Sequence, residues 1–241
     1  MISVIVPTYN EERNIEGCLR SLESQTLPRE SFEIIIVDGQ SKDRTVEIAE
    51  AYADKVIQQV SRGVGGARND GVMVASGKII VTTDADCHLP SDWLESIRDS
   101  FEDPKNIAAT GLLRPEIAGL PDIERAAYKI FFEMSNVFLL IAGRLRVYHL
   151  CGANSAFRRS AFMKAGGYTD LPYADDVEIV KRLSKMGKIT LSDRINIGYS
   201  VRRIRKVGLI KYTLMIFRND WAVMFFHYHP KKSDYAKQNY G

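Results

Sequence analysis

The feature that most constrains the fold is the regular alternation of two kinds of segment in the first half of the chain. Apolar, β-branched runs stand at residues 2–8, 32–38, 78–84 and 106–113, with a shorter one at 55–60. Segments with apolar residues at helical spacing lie between them. This alternation is typical of a mostly parallel sheet that helices cover on both faces. We therefore predict an α/β fold with a Rossmann-like sheet.

Length and composition suit a globular chain with one sizeable core, since 45% of the 241 residues are hydrophobic and 26% are charged. The alternating pattern ends near residue 114, and longer helical segments follow. No repeat or Pro-, Gly- or Ser-rich linker divides the chain. We predict one α/β domain over residues 1–200 and a helical C-terminal extension over 201–241, packed on that domain or on a membrane surface.

Charge and cysteine usage exclude several classes of protein. The net charge of +3 is too small to indicate a nucleic-acid partner. The three cysteines lie far apart and form no C-x-x-C pair, which argues against a disulfide framework and against a zinc site. A strand-like run begins at the second residue without a signal-peptide pattern. We predict a cytoplasmic protein, or one on the cytoplasmic face of a membrane.

Two segments approach the apolar length of a membrane span, 131–143 and 208–226, but charged residues interrupt both. Neither reaches the ~18 uninterrupted apolar residues that a span needs, so we predict none. The amphipathic segments 121–142 and 207–228 leave two alternatives open. They complete the core and a homodimer interface, or they lie on a membrane surface.

Acidic residues follow the apolar runs where the predicted strands end. Asp84 and Asp86 come after the run at 78–84, and Asp38 ends the run at 32–38. Ligands of such sheets bind outside the carboxyl ends of the strands. The Asp-x-Asp pair can supply oxygen ligands to Mg²⁺ or Mn²⁺, although helix capping is the simpler alternative. Asp38 can accept a hydrogen bond from a nucleobase or a ribose hydroxyl.

Three further stretches carry charge or glycine. In the glycine-rich stretch 62–71, Arg68 stands where a dinucleotide fingerprint has its third glycine, so we interpret the stretch as a helix entrance with Arg68 facing an anion or a base. Asp175 and Asp176 open a helical segment, either as dipole-favoured acids or as a general base. The basic row at 202–205 is either a solvated strip or a site for a pyrophosphate or lipid phosphate.

Six stretches occur in a fixed order along residues 2–190, and together they resemble the family-two inverting glycosyltransferases with the GT-A fold. They read VIVPTYNEERNIEGCLRSLESQ, EIIIVDGQSKDRT, GGARNDG, KIIVTTDAD, GANSAFRRSAFMKAGGY and ADDVEIVKRL. No stretch is specific alone, whereas the ordered set is. The resemblance implies a GT-A sheet and makes residues 1–200 a nucleotide-sugar-binding and catalytic domain.

The resemblance also implies a UDP- or GDP-sugar donor, a Mn²⁺ or Mg²⁺ ion and a set of site residues. Asp86 would bind the metal, Asp84 the metal or the nucleotide. Asp176 would be the catalytic base, with Asp175 as the alternative because the family's late acidic motif more often reads Glu-Asp. Pro7, Tyr9 and Glu11 would line the nucleotide pocket, Asp38 would contact the nucleobase, and Arg68 would lie beside the nucleotide. Gly152, Ala153 and Asn154 would shape the pocket for the sugar and the acceptor. The basic row would add Arg202 and Arg203 to the donor-binding residues.

These roles describe a metal-dependent inverting glycosyltransferase that moves one sugar to a hydroxyl or phosphate acceptor, either a carbohydrate or a lipid phosphate. The Gln-x-x-Arg-Trp motif of processive synthases is absent from the sequence, which favours single-sugar transfer. One alternative is a nucleotidyltransferase that forms sugar nucleotides, but PTYNEER stands where its glycine-rich loop belongs. The other is a non-catalytic sugar-nucleotide-binding protein, against which the acids at 84, 86 and 176 argue.

Overall fold

The computed structural model describes residues 1–144, 150–171 and 175–226. Residues 227–241 of the predicted C-terminal extension lie outside the described residues. The strands are β1 Ile2–Thr8, β2 Phe32–Asp38, β3 Lys55–Gln58, β4 Ile79–Thr82, β5 Asn106–Glu116, β6 Ser155–Arg158 and β7 Lys188–Ser200. The helices are α1 Ile15–Glu23, α2 Thr45–Glu50, α3 Gly63–Val74, α4 Trp93–Ser100, α5 Asp122–Arg144, α6 Arg159–Ala165, α7 Asp175–Leu183, α8 Arg202–Val207 and α9 Leu209–Phe226.

The strands form one sheet in the order β3-β2-β1-β4-β6-β5-β7. β1 runs parallel to β2 and β4, β2 to β3, and β5 to β7, while β6 is antiparallel to both of its neighbours. This confirms the predicted α/β class and the mostly parallel sheet. Because β1, β2 and β4 are adjacent and parallel, their carboxyl ends lie along one edge of the sheet.

The sequence analysis did not predict β7, which pairs with β5 along most of its length. The reason is its composition, since buried and exposed positions alternate irregularly and Ser192, Asp193 and Arg194 interrupt the apolar pattern. The pairing shifts register between Gly111 and Leu112. A Cβ at Gly111 would collide with the backbone carbonyl of Ile195, so this glycine allows the two strands to approach.

Each central strand feeds two cores, one on either face of the sheet. In β1, Val4 and Val6 belong to the cluster that includes Leu19 of α1, whereas Ile5 belongs to the cluster on the other face. The alternation follows from the period of two along a strand. Burial on both faces explains why these strands read as continuous apolar runs.

A third, smaller cluster joins the C-terminal helices to the rest of the fold. Tyr128 and Phe132 of α5 meet Ile204 of α8 and Tyr212 of α9 there, all of them buried. The described part of the predicted extension therefore packs against the side of α5 that carries Tyr128 and Phe132.

Helix α5 passes a test of length and composition for a membrane span, which the sequence analysis expected of no segment. By length and composition this helix qualifies as a candidate span, with a mean hydropathy of 1.3 in a window of which 17% is buried. The prediction counted uninterrupted apolar residues, and Glu133 breaks that run without making the window polar. The low burial also distinguishes α5 from an ordinary core helix.

Two helical glycines provide a test of the packing between α3 and the sheet. A Cβ at Gly71 would lie 2.5 Å from Ile5 Cγ2, whereas a Cβ at Gly17 in α1 would meet nothing within 4 Å. We expect Gly71→Ala to lower the free energy of unfolding, because overpacking typically costs ~1–3 kcal/mol. We expect Gly17→Ala to raise it by ~0.5–1 kcal/mol through helix propensity. Urea unfolding of both variants measures this, and shifts of the same sign would contradict the packing.

Candidate active site

The carboxyl end of β4 is tied to α3 by a buried ion pair. Arg68 of α3 is 4% exposed, and its Nη2 donates to Asp84 Oδ1 at 2.9 Å. Its Nη1 lies 4.0 Å from Asp175 Oδ2, and its guanidinium stands over the ring of Tyr168. Arg68 thus faces carboxylates at the base of the site and shows little surface to solvent. Asp84 and Asp175, far apart in sequence, are brought together by this one side chain.

Glycines make room for this contact. A Cβ at Gly65 would overlap Asp175 Oδ2, and a Cβ at Gly152 would overlap the Arg68 guanidinium. The glycine-rich stretch therefore serves close packing at this position. Gly65, Gly152 and Tyr168 surround Arg68, and the sequence motifs did not predict these contacts.

A second cluster of charged side chains surrounds Asp86, two residues after Asp84. Arg202 of α8 donates from Nη2 to Glu11 Oε1 at 2.7 Å and to Asp86 Oδ2 at 3.2 Å. These partners are separated from Arg202 by 191 and 116 residues along the chain. The basic row at 202–205 therefore contributes Arg202 to the acidic edge of the sheet, by which we mean Glu11 after β1 and Asp84 and Asp86 after β4. Arg203 adds positive charge near Asp86.

Asp86 is held in an environment that disfavours its charge. Burial raises the pKa of the Asp86 carboxyl to about 6, and the negative charges of Asp84 and Glu11 act in the same direction. Arg202 and Arg203 oppose the shift but do not cancel it. A cation bound at Asp86 would lower this raised pKa, because an opposite charge favours the ionised form of a carboxyl group.

These residues fit a divalent metal of the kind that a substrate helps to bind. Within the part of the chain that the structure describes, no three His, Cys, Asp or Glu side chains form a ready-made metal cage. Mg²⁺ and Mn²⁺ sites of phosphate-handling enzymes commonly use one or two carboxylates, with phosphates and water completing the shell. Asp86 offers such a carboxylate, and Glu11 and Asp86 already share one cationic group.

The two acids at the start of α7 differ in exposure. Asp175 is buried, and its Oδ2 accepts no hydrogen bond. Burial and the neighbouring Asp176 raise the pKa of Asp175, while Arg68 lowers it. Asp176 is half-buried, and its Oδ2 accepts from the backbone N–H of Gly152 at 3.2 Å. Of the two carboxylates, Asp176 is the one that a substrate could reach.

Gly152 connects Asp176 to the strand that carries the Asp-x-Asp pair. Its carbonyl accepts from Thr82 Oγ1 of β4 at 2.7 Å, while its N–H donates to Asp176. Asp84, Arg68, Gly152 and Asp176 therefore border one region at the end of β4. This places the late acidic motif and the early one side by side.

The remaining predicted residues lie in different surroundings. Asp38 is buried and accepts from Thr8 Oγ1 and from both the N–H and the hydroxyl of Ser41, so its oxygens are engaged within the loop. Pro7 and Tyr9 are half-buried at the end of β1, with the Tyr9 ring beside Gly39. None of the hydrogen bonds of Asp38 reaches Asp84 or Asp86, the acids that follow β4.

Ala153 and Asn154 lie in the core rather than on a pocket wall. Asn154 is fully buried, accepts from Trp93 Nε1 at 3.0 Å and donates to the carbonyls of Leu112 and Ile195. Any influence of this residue on a bound sugar would pass through Gly152. A small-residue stretch gives no sign in sequence that its amide is used to fasten strands.

An open cavity of about 580 Å³ adjoins Arg202 between the ends of β5, β7 and α8. Its walls include Glu116, Leu120 and Arg205. The sequence analysis did not assign a pocket to the end of β5, because β7 was not recognised as the neighbour of β5. The cavity offers space for a second molecule beside the acidic edge.

Comparison with known structures places the fold. A mannosyltransferase from Pyrobaculum calidifontis, PcManGT, in complex with GDP-Man and Mn²⁺, superposes with a TM-score of 0.66 at 25% identity, over 90% of this chain and 64% of the other. TarS from S. aureus, in complex with UDP-GlcNAc, gives a TM-score of 0.66 at 20% identity, over 97% of this chain and 69% of the other. The GT-A fold predicted from the sequence is confirmed by these GT-A neighbours.

Two curated relatives resemble the chain in sequence. Glycosyltransferase AglE of Haloferax volcanii is 39% identical over 100 residues, which are 39% of this chain and 33% of the relative. The poly(ribitol-phosphate) beta-glucosyltransferase of Bacillus spizizenii is 30% identical over 205 residues, covering 75% of this chain and 32% of the relative. The chain thus spans about a third of the length of either relative.

The family assignment rests on a match to a family model as well as on these pairwise likenesses. The model of the family described as "Glycosyl transferase family 2" matches residues 3–166, more than half of the chain and from the first strand to the sixth helix. This protein therefore belongs to glycosyl transferase family 2.

Proposed function

We propose that the protein is a metal-dependent inverting glycosyltransferase that moves one sugar from a nucleoside-diphosphate sugar to a hydroxyl or phosphate acceptor. The observation that carries the proposal is the convergence of Asp86, Asp84 and Asp176 at the end of β4, through Arg68 and Gly152. A displacement at an anomeric carbon needs charge stabilisation on one side and a base on the other. The two acidic motifs provide groups for both.

The donor would bind along the carboxyl ends of β1, β2 and β4, where Pro7, Tyr9 and Asp38 border the edge of the sheet. Family membership supports a nucleotide-sugar donor. PcManGT was seen with GDP-Man and TarS with UDP-GlcNAc, which supports a UDP- or GDP-sugar as the donor of this chain. The half-exposed side chain of Arg202 lies beside Asp86, where it would meet the diphosphate and neutralise part of its charge.

The residues that would hold the metal are Asp86 first and Asp84 or Glu11 second. A divalent cation bound there would stabilise, as a Lewis acid, the negative charge that gathers on the leaving diphosphate. Arg68 holds the Asp84 carboxylate in place through its hydrogen bond to Oδ1. In this proposal Arg68 acts by positioning the carboxylate, since its burial leaves little contact surface for the nucleotide.

Asp176 would act as the general base. The acceptor oxygen attacks the anomeric carbon from one face, its proton passes to an oxygen of Asp176, and the bond to the diphosphate breaks on the opposite face. A single displacement of this kind inverts the configuration, so it requires no covalent sugar–enzyme intermediate. The N–H groups of Gly152 and Val177 donate to Asp176 and fix its orientation.

The domain organisation and location follow as part of the proposal. Residues 1–200 would form the nucleotide-sugar-binding and catalytic domain, and α8 would complete it by delivering Arg202 to Glu11 and Asp86. Reaction with a cytoplasmic nucleotide sugar is consistent with the predicted cytoplasmic location.

Substitution of the two acids of α7 tests the assignment of the base. Asp176→Asn should lower turnover by roughly 10²–10⁴-fold, the usual contribution of a general base. Donor affinity should stay near its original value, because the proton is transferred only during the reaction. Transfer is measured as release of nucleoside diphosphate, and affinity by titration. Asp175→Asn is measured in parallel, since it keeps Asp176 and changes the alternative base. Near-normal turnover in Asp176→Asn, with loss in Asp175→Asn, would reverse the assignment.

Substitution at the proposed metal ligand tests the donor side. Asp86→Ala should abolish the Mn²⁺-dependent part of the thermal stabilisation by UDP or GDP, because the carboxylate that shares the ion with the diphosphate is lost. Asp92→Ala is the control, as Asp92 is exposed on the loop that follows and its side chain makes no capping hydrogen bond. An unchanged Mn²⁺ effect in Asp86→Ala would place the metal elsewhere.

A further inference from the structure

Helix α5 carries a second apolar face that the fold does not use. Six large apolar side chains along it are 52–86% exposed. We call these residues the outer face; they are Ile123, Ile130, Met134, Val137, Phe138 and Ile141. Their spacing puts them on one side of the helix over a length of ~27 Å. Soluble proteins rarely leave so long an apolar strip in contact with water.

The opposite side of α5 is already committed to the protein. Tyr128 and Phe132 are buried in the cluster that joins α5 to α8 and α9, and Asn136 exchanges hydrogen bonds with the backbone of Leu113 in β5. A helix fastened in this way along one side cannot be surrounded by lipid. It can lie flat on an interface with its outer face in the apolar layer.

Positive charge lies on α8 and α9, the two helices that pack against α5. Arg205 of α8 forms a 2.8 Å ion pair with Glu124 in the first turn of α5, which fixes the two helices next to each other. Residues 202–218 contain six basic residues and no acidic one. On α9, the exposed side chains of Ile210 and Leu214 flank the exposed Lys211. Apolar and basic groups therefore share the exposed surface of the first turns of α9.

We propose that the outer face of α5 docks on the surface of a membrane that contains anionic phospholipids, with the exposed basic residues of α9, Lys211 and Arg218, against the headgroups. The apolar strip supplies insertion into the boundary between headgroups and acyl chains, and the basic residues supply attraction to negative charge. Neither term alone accounts for both features. Charge complementarity is what favours a membrane over an uncharged protein surface.

Docking of this kind has a consequence for the acceptor, and this step rests on the proposed function. The cavity of about 580 Å³ is lined by Leu120, which precedes α5, and by Arg202 and Arg205 of α8. An acceptor phosphate or hydroxyl carried on a lipid would reach this cavity from the bilayer. Arg202 links that cavity to Asp86. The membrane would thereby bring a lipid-borne acceptor to a cavity that borders the site.

Co-sedimentation of the full chain with vesicles tests the docking. Vesicles of phosphatidylcholine, with or without phosphatidylglycerol, are the probes. We expect recovery with the anionic vesicles, and a marked loss of it as salt screens the headgroup charge. Met134→Glu combined with Phe138→Glu should weaken binding by about tenfold or more, since it places charge in the apolar layer. Met73→Glu is the matched control, because Met73 on α3 is 65% exposed and Met134 is 68% exposed.

Three results would overturn the docking: no recovery of the original chain with either vesicle, equal loss in Met73→Glu, or a dimer in solution that the α5 variant converts to monomer. The last result would assign the outer face to a second copy. Thermal stabilisation by UDP or GDP with Mn²⁺, measured on the same variants, separates this test from that of the proposed function. Retained nucleotide binding with lost vesicle binding supports docking, whatever the turnover of Asp176→Asn.

Discussion

The buried pairing of Arg68 with Asp84 is the interaction on which the rest of the site depends. It joins α3 to the end of β4 and brings α7 close through Asp175. A guanidinium can be buried only where carboxylates compensate its charge. The pairing therefore fixes the direction in which the chain leaves β4, and with it the position of Asp86 two residues later. Gly65 and Gly152 are required around it because side chains there would occupy the same space.

Much of the fold was predictable because the central strands are buried on both faces and so read as continuous apolar runs. The acids at the strand ends were predictable as well, because Asp84 and Asp86 stand directly where the apolar run of β4 stops. β7 was not, because its polar residues hide the strand period. Asn154 was not either. A buried amide that fastens β5 and β7 has the same letter as one that lines a pocket, and only its partners distinguish the two.

The role of Arg202 shows a further limit of sequence reasoning. A row of basic residues is most often solvated, and its own surroundings in the sequence name no partner. Glu11 and Asp86 become its partners only after the sheet places β1 beside β4 and β7 leads α8 back across that edge. The two acids of α7 illustrate the same point. They are adjacent in sequence, yet contact with Arg68 buries one and leaves the other half-buried, which no motif would have indicated.

The position of β6 in the sheet bears on how the chain is made. β4 and β5 are neighbours in sequence but not in space, because β6 lies between them and pairs with both. Thr82 and Ser155, which face each other across β4 and β6, are 73 residues apart. At ribosomal speeds of ~5–20 residues per second, the β4 edge would wait about 4–15 s for its partner. During that interval the apolar edge of the four-residue β4 is open to pairing with other strands. Chaperones that cover such edges are therefore expected to raise the yield of folded protein.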